Sequence, residues 1–111
     1  MSTLSTHILD IAVGQPAVGV KVRLERQDDT RWCTVAEDVT NEDGRIAAFV
    51  NAPLPAGHYR LTAAIGNWFA EANRESLFVE AQIDFRLSAS GGHYHLPFLI
   101  SPWSWSTYRG S

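Results

Sequence analysis

Apolar side chains recur at every second position along most of this chain, and that period restricts the fold more than any other feature. Val18, Val20, Val22 and Leu24 alternate with Gly19, Lys21, Arg23 and Glu25. Tyr59, Leu61, Ala63 and Ile65 alternate with His58, Arg60, Thr62 and Ala64. Tyr94, Leu96, Phe98 and Ile100 alternate with His93, His95, Pro97 and Leu99. Successive side chains of a strand point to opposite faces, so each run reads as a strand with one buried face and one wet face. A fourth run, Val79 to Leu87, alternates with one slip, which predicts a strand start or a bulge there.

Turn-forming clusters separate the runs: Gly14-Gln15-Pro16, Gln27-Asp28-Asp29-Thr30, Asn41-Glu42-Asp43-Gly44, Pro53 to Gly57, and Ser88 to Gly92. Seven or eight short strands at such spacing predict an all-β, antiparallel sandwich. One stretch lacks the alternation. Asn67 to Arg74 contains good helix formers behind a capping residue, and predicts a single short helix over 67–74 with Asn67 as N-cap. The chain has 111 residues, 45% of them hydrophobic and 19% charged, so one domain spanning 1–111 can bury its own core. A net charge of −3 argues against a nucleic-acid partner. No apolar run is long enough to span a membrane, and the first residues do not read as a signal peptide, so a cytoplasmic location is expected. The single cysteine, Cys33, allows no internal disulfide and reads as an ordinary strand residue.

Four histidines are the obvious chemical resource: His7, His58, His93 and His95. His93 and His95 share a strand face, which also carries Pro97 and Leu99. Such a pair suits metal binding, general acid–base work or plain strand structure, and no carboxylate or cysteine stands at a spacing that completes a metal site. His7 lies in a first strand, Leu4 to Asp10, with Ser5 and Leu9 on its face. Arg45 follows the Asn41–Gly44 turn. The tail alternates too: Ser104, Ser106 and Tyr108 on one side, Trp103, Trp105 and Thr107 on the other. Alone, it reads as an aromatic edge strand with a frayed end.

Several segments together change that reading: Leu4-Ser-Thr-His7-Ile-Leu-Asp10, Thr40-Asn-Glu-Asp-Gly-Arg45, Gly57-His-Tyr-Arg60, His93-Tyr-His95-Leu-Pro-Phe-Leu-Ile-Ser-Pro102 and Ser106-Thr-Tyr-Arg-Gly-Ser111. With these the chain resembles the 5-hydroxyisourate hydrolases, transthyretin-like enzymes of urate breakdown, over essentially its whole length. The resemblance implies a β-sandwich of two four-stranded sheets with one short helix, assembled as a homotetramer (a dimer of dimers) with active sites at the ends of a channel. It implies a site of His7, Arg45, His95 and the Tyr108–Ser111 tail, with His93 left out. It also implies hydrolysis of 5-hydroxyisourate to 2-oxo-4-hydroxy-4-carboxy-5-ureidoimidazoline without a cofactor. In that site one of His7 and His95 takes a proton from water, Arg45 and Tyr108 hold the planar substrate, and Ser111 positions a histidine or the water. The expectation extends to the terminal carboxylate, which an added residue would displace. Two alternatives stand beside it: a non-catalytic carrier of small aromatic ligands, and a zinc-binding protein using His93, His95 and His7.

Overall fold

In the first strand, β1 (Ser2–Asp10), Leu4, Thr6 and Ile8 are buried facing the core, while Thr3, Ser5, His7 and Leu9 share the other face, where Ser5 alone is also buried. The remaining elements, in order, are β2 (Gln15–Pro16), β3 (Lys21–Asp28), β4 (Arg31–Val39), β5 (Arg45–Ile46), β6 (Gly57–Ala63), α1 (Ile65–Glu71), β7 (Ala81–Leu87), β8 (Gly92–His95), β9 (Phe98–Ile100) and β10 (Trp105–Thr107). These come from a computed structural model that describes residues 1–50 and 52–111. Among the described residues, no helix is long and apolar enough to cross a membrane.

The strands form two sheets. One has the order β4-β3-β6-β7, antiparallel throughout. The other has the order β10-β9-β1-β2, with β5 and β8 also paired to β1. It counts six strands yet occupies four positions. β8 and β9 are two pieces of one line, both parallel to β1 at the same 90-residue offset and interrupted at Leu96-Pro97. Proline has no N–H to give the ladder there. The fourth position is assembled from three separate pieces along the opposite edge of β1: β2 against Leu9 and Asp10, β5 against Thr6 and His7, and a single bridge from Leu54 to Ser2. The two-sheet layout with one helix is therefore as expected, but the central pairing of the second sheet is parallel, not antiparallel.

The inner faces meet in one core. Leu4, Ile8, Phe98 and Ile100 from one sheet pack with Val22, Leu24, Tyr59, Leu61 and Leu87 from the other, and α1 adds Ile65 and Phe69. The helix starts two residues before the expected Asn67 and stops at Glu71. Its N-cap is Ala64, with no side-chain capping bond. Ile65 and Phe69, four apart on one face, are the two buried residues of α1, so tertiary burial sets its ends more than capping does. Of the two readings of the slip in the Val79–Leu87 run, the strand start is the one seen: β7 begins at Ala81 and pairs with β6 without a shift, and the bulge-like irregularity lies between Leu24 and Glu25.

The end of β1 is anchored by charge. The Asp10 carboxylate is 1% exposed and accepts hydrogen bonds from Arg74 Nη1 at 2.6 Å and from the Ala12 N–H at 3.0 Å. The Arg74 guanidinium also lies 4.8 Å over the Phe69 ring, tying the strand to the helix. Truncating Arg74 leaves a buried charge half-compensated. Arg74→Ala should lower unfolding free energy by about 2–3 kcal/mol, measured by urea denaturation at fixed protein concentration. A change under about 0.5 kcal/mol would mean that the pair contributes no more than a surface ion pair.

Candidate active site

The parallel pairing of β1 with β8 brings together residues that are 88 to 90 apart in sequence. Thr3 stands opposite His93 and Ser5 opposite His95, all on the outer face. His7 is next along β1 and diagonal to His95, and their ring centroids are 6.5 Å apart with planes inclined by 39°. On the other edge of β1, His7 pairs with Arg45. The tight turn before Arg45 explains why this pairing forms. Gly44 has φ +74°, and a Cβ there would lie 2.5 Å from the Ile8 carbonyl oxygen. The Asn41 side chain closes the turn by accepting from the N–H groups of Asp43 and Arg45.

Each imidazole is held by one nitrogen. His7 Nε2 contacts the Asp43 carbonyl oxygen at 2.8 Å. A carbonyl can only accept, so the neutral ring carries its proton on Nε2 and leaves Nδ1 bare. His95 Nδ1 lies 2.8 Å from Ser5 Oγ, leaving Nε2 available. Both rings are half-buried. Burial, followed by the Arg45 charge, holds His7 below the ordinary histidine pKa. Burial also lowers His95, again followed by Arg45 and then by its neighbours His7 and His93. Two half-buried imidazoles are thus kept neutral beside a fixed cation.

The tail closes onto this group from the third strand. β10 pairs with β9 so that Ser106 sits opposite Leu99, on the outer face. Thr107 Oγ1 donates to the Pro97 carbonyl at 2.7 Å, and the Gly110 N–H donates to the His95 carbonyl at 2.7 Å. A Cβ on Gly110 would lie 2.6 Å from His95 Cδ2, so only glycine lets the tail pass this close to the ring. Arg109 turns back, with its guanidinium 4.1 Å over the Tyr94 ring and Nη2 3.4 Å from the His93 carbonyl oxygen.

The profile of the HIUase/transthyretin family matches residues 4–110. The chain belongs to this family. A 5-hydroxyisourate hydrolase from Caulobacter vibrioides is 44% identical over 115 residues, covering 100% of both chains. The solved 5-hydroxyisourate hydrolase of Klebsiella pneumoniae is 61% identical, covers 100% of both chains and superposes with a TM-score of 0.91. Sea bream transthyretin in complex with thyroxine superposes with a TM-score of 0.90 at 28% identity, over 96% of this chain and 93% of that one. The HIUase/transthyretin fold is thus shared equally well by both kinds of relative, while sequence identity is far higher to the hydrolase.

Within this family fold, the structure brings together His7, His95 and Arg45, and the backbone of Gly110 with them. The side chains of Tyr108 and Ser111 make no hydrogen bond to this group among the described residues: Tyr108 is 56% exposed and Ser111 is exposed. In sequence Ser5 appears only as a face-mate of His7, and the family resemblance leaves His93 out. Both join the cluster, because the parallel register puts Ser5 between the two histidines of β8. Among the described residues, no group of three His, Cys, Asp or Glu side chains is placed to hold a metal ion. A recess of about 570 Å³ opens over Lys21, Arg23, Glu37, Asp38 and Thr62 on the other sheet, away from these histidines.

Proposed function

We propose that this chain, as one domain, hydrolyses 5-hydroxyisourate to 2-oxo-4-hydroxy-4-carboxy-5-ureidoimidazoline. The observation that carries the reading is the pair of half-buried neutral imidazoles beside Arg45, in a family member 61% identical to a solved 5-hydroxyisourate hydrolase. Water is a weak nucleophile near neutral pH, and a cyclic amide is a stable electrophile. A base for the water, a donor for the leaving nitrogen and a charge for the developing oxyanion are the three requirements.

His7 suits the base, because its Asp43 contact leaves Nδ1 as its proton acceptor. His95 Nε2 is the group to protonate the leaving ring nitrogen. Arg45 presents a fixed charge with paired N–H donors, matched to the carbonyl oxygens of a planar oxidised purine. Tyr108 then stacks on or hydrogen-bonds that ring, and Ser111 helps to position the water or a histidine. No cofactor enters these steps.

An open sheet face excludes water poorly, and a second surface would have to cover it. A homotetramer whose subunits face each other across this sheet meets that need, and we include it in the proposal, together with a cytoplasmic location. Two assays run side by side separate the hydrolase from a carrier. Isourate generated by urate oxidase should disappear faster with the protein present, and a titration with an iodinated aromatic ligand should show no tight binding. The reverse pattern would make this chain a carrier.

A further inference from the structure

His95 does not end at Ser5. Thr3 Oγ1 lies 2.7 Å from His93 Nδ1, His93 Nε2 lies 3.0 Å from Ser5 Oγ, and Ser5 Oγ lies 2.8 Å from His95 Nδ1. The line runs along the outer face from an exposed threonine, through an exposed imidazole and a buried hydroxyl, to the half-buried ring of the proposed site. We propose that Thr3, His93 and Ser5 form a proton relay that positions His95 and switches its Nε2 between hydrogen-bond donor and acceptor.

Ser5 has a single hydroxyl proton and faces an imidazole nitrogen on each side. Ser5 Oγ has no other hydrogen-bond partner among the described residues, so its proton goes to one of the two rings, and two arrangements then satisfy every contact. In one, Ser5 donates to His93 Nε2 and accepts from His95 Nδ1–H, so both rings carry their proton on Nδ1. In the other, Ser5 accepts from His93 Nε2–H and donates to His95 Nδ1, so both carry it on Nε2. The rings are thereby forced into the same tautomer, and one concerted shift converts one arrangement into the other without net charge.

That shift supplies what the chemistry lacks. Arg45 stands next to His7 and disfavours an imidazolium at either site histidine, yet a neutral imidazole is a poor acid. With the relay, His95 gives its Nε2 proton to the leaving nitrogen while Nδ1 takes one from Ser5. Ser5 takes the Nε2 proton of His93, and His93 Nδ1 takes one from Thr3 and solvent. Both rings end with the proton on Nδ1 and no ring is charged. The proton that His7 took from water returns to His95 Nε2, the line runs back, and one proton leaves at Thr3. The cycle balances: water adds across the amide and every residue regains its starting proton.

This relay serves the hydrolysis proposed above, so its test reads both a substrate-free and a substrate-dependent quantity. Long-range ¹H–¹⁵N correlation of the imidazoles, at a pH where both rings are neutral, should show His93 and His95 in matched tautomers. Ser5→Ala should uncouple them. In turnover, Ser5→Ala should lower kcat by about 10–100-fold with KM within about twofold, as expected when the partner that orients an active group is lost. Ser5→Thr, which keeps the hydroxyl, should recover most of the loss. His93→Gln can still hydrogen-bond Ser5 but cannot pass a proton, and should lower kcat as Ser5→Ala does. Opposite tautomers in the unsubstituted protein, or a Ser5→Ala kcat within about twofold of it, would overturn the relay. Matched tautomers in a protein that leaves isourate untouched would instead sink the hydrolase reading and leave the hydrogen-bonded line standing.

Discussion

His7→Asn and His95→Asn should each slow isourate hydrolysis by about 10²–10⁴-fold, the range a positioned acid or base contributes. Neither side chain belongs to the core. Both project from the outer face of the sheet, while Leu4, Thr6 and Ile8 of β1, and Leu96 just beyond β8, are buried on the core side. The melting temperature should therefore move by only a few degrees. Asparagine keeps a polar group near the Asp43 carbonyl or Ser5 hydroxyl and removes the titratable nitrogen. A near-normal rate for either variant would take that residue out of the site. The same geometry sets the pH profile. Burial and Arg45 lower both pKa values, so the rings stay neutral to a pH below the ordinary histidine value of about 6.5. Activity that needs neutral imidazole is present above the lowered value and is lost as pH falls through it. The acidic limb of kcat/KM should accordingly lie below about 6.5. Burial is the larger cause in both rings, so Arg45→Gln should move that limb upward only part of the way.

The second large effect is expected at a glycine. Gly110→Ala would place a methyl group 2.6 Å from His95 Cδ2, inside any real contact distance. Either the ring tilts away from Ser5 or the tail lifts and its N–H loses the His95 carbonyl. Displacing a reacting group by about 1 Å costs on the order of 10²-fold in rate, and a loss of that size is expected here. Stability should change little, because Gly110 packs on the outer surface and not in the core. Deleting Tyr108 to Ser111 should remove activity more completely, since it also takes away Tyr108 and Ser111, while β10 at Trp105–Thr107 stays paired to β9. Circular dichroism and melting curves, run beside the kinetics, check this. A collapse of the fold on deletion would make the tail a packing element.

Much of the fold is legible in sequence because strand parity is a local property. Each run from Val20 to Leu24, Tyr59 to Ala63 and Leu96 to Ile100 carries its own inside and outside, and the apolar core follows those parities, although Thr62 and Pro97 on the other face are buried as well. What is not local was not legible. The line of β8 and β9 is parallel to β1 across 90 residues, and nothing in either segment states its partner's direction. The composite edge of β2, β5 and Leu54 is equally hidden, since two-residue strands have no period to detect. α1 was displaced because Asn67 signals a cap, yet burial of Ile65 and Phe69 decides where the helix lies.

The site divides the same way. The face shared by His95, Leu99, Ser106 and Tyr108 follows from alternation. The pairing of His7 with Arg45 and the approach of Gly110 to His95 follow only from tertiary structure. Family resemblance named His7, Arg45 and His95, and they do converge. It passed over Ser5 and His93, whose part appears only when the register sets a serine between two histidines.

Turnover of 5-hydroxyisourate by this chain can be read directly. Urate oxidase in excess can generate the substrate in the cuvette, and the first-order constant for its ultraviolet decay can be measured at several concentrations of the protein. The constant should rise linearly with protein concentration for the unsubstituted chain and stay near the spontaneous value for a chain carrying both His7→Asn and His95→Asn. A constant that does not depend on the concentration of the unsubstituted, folded protein would contradict turnover by this chain.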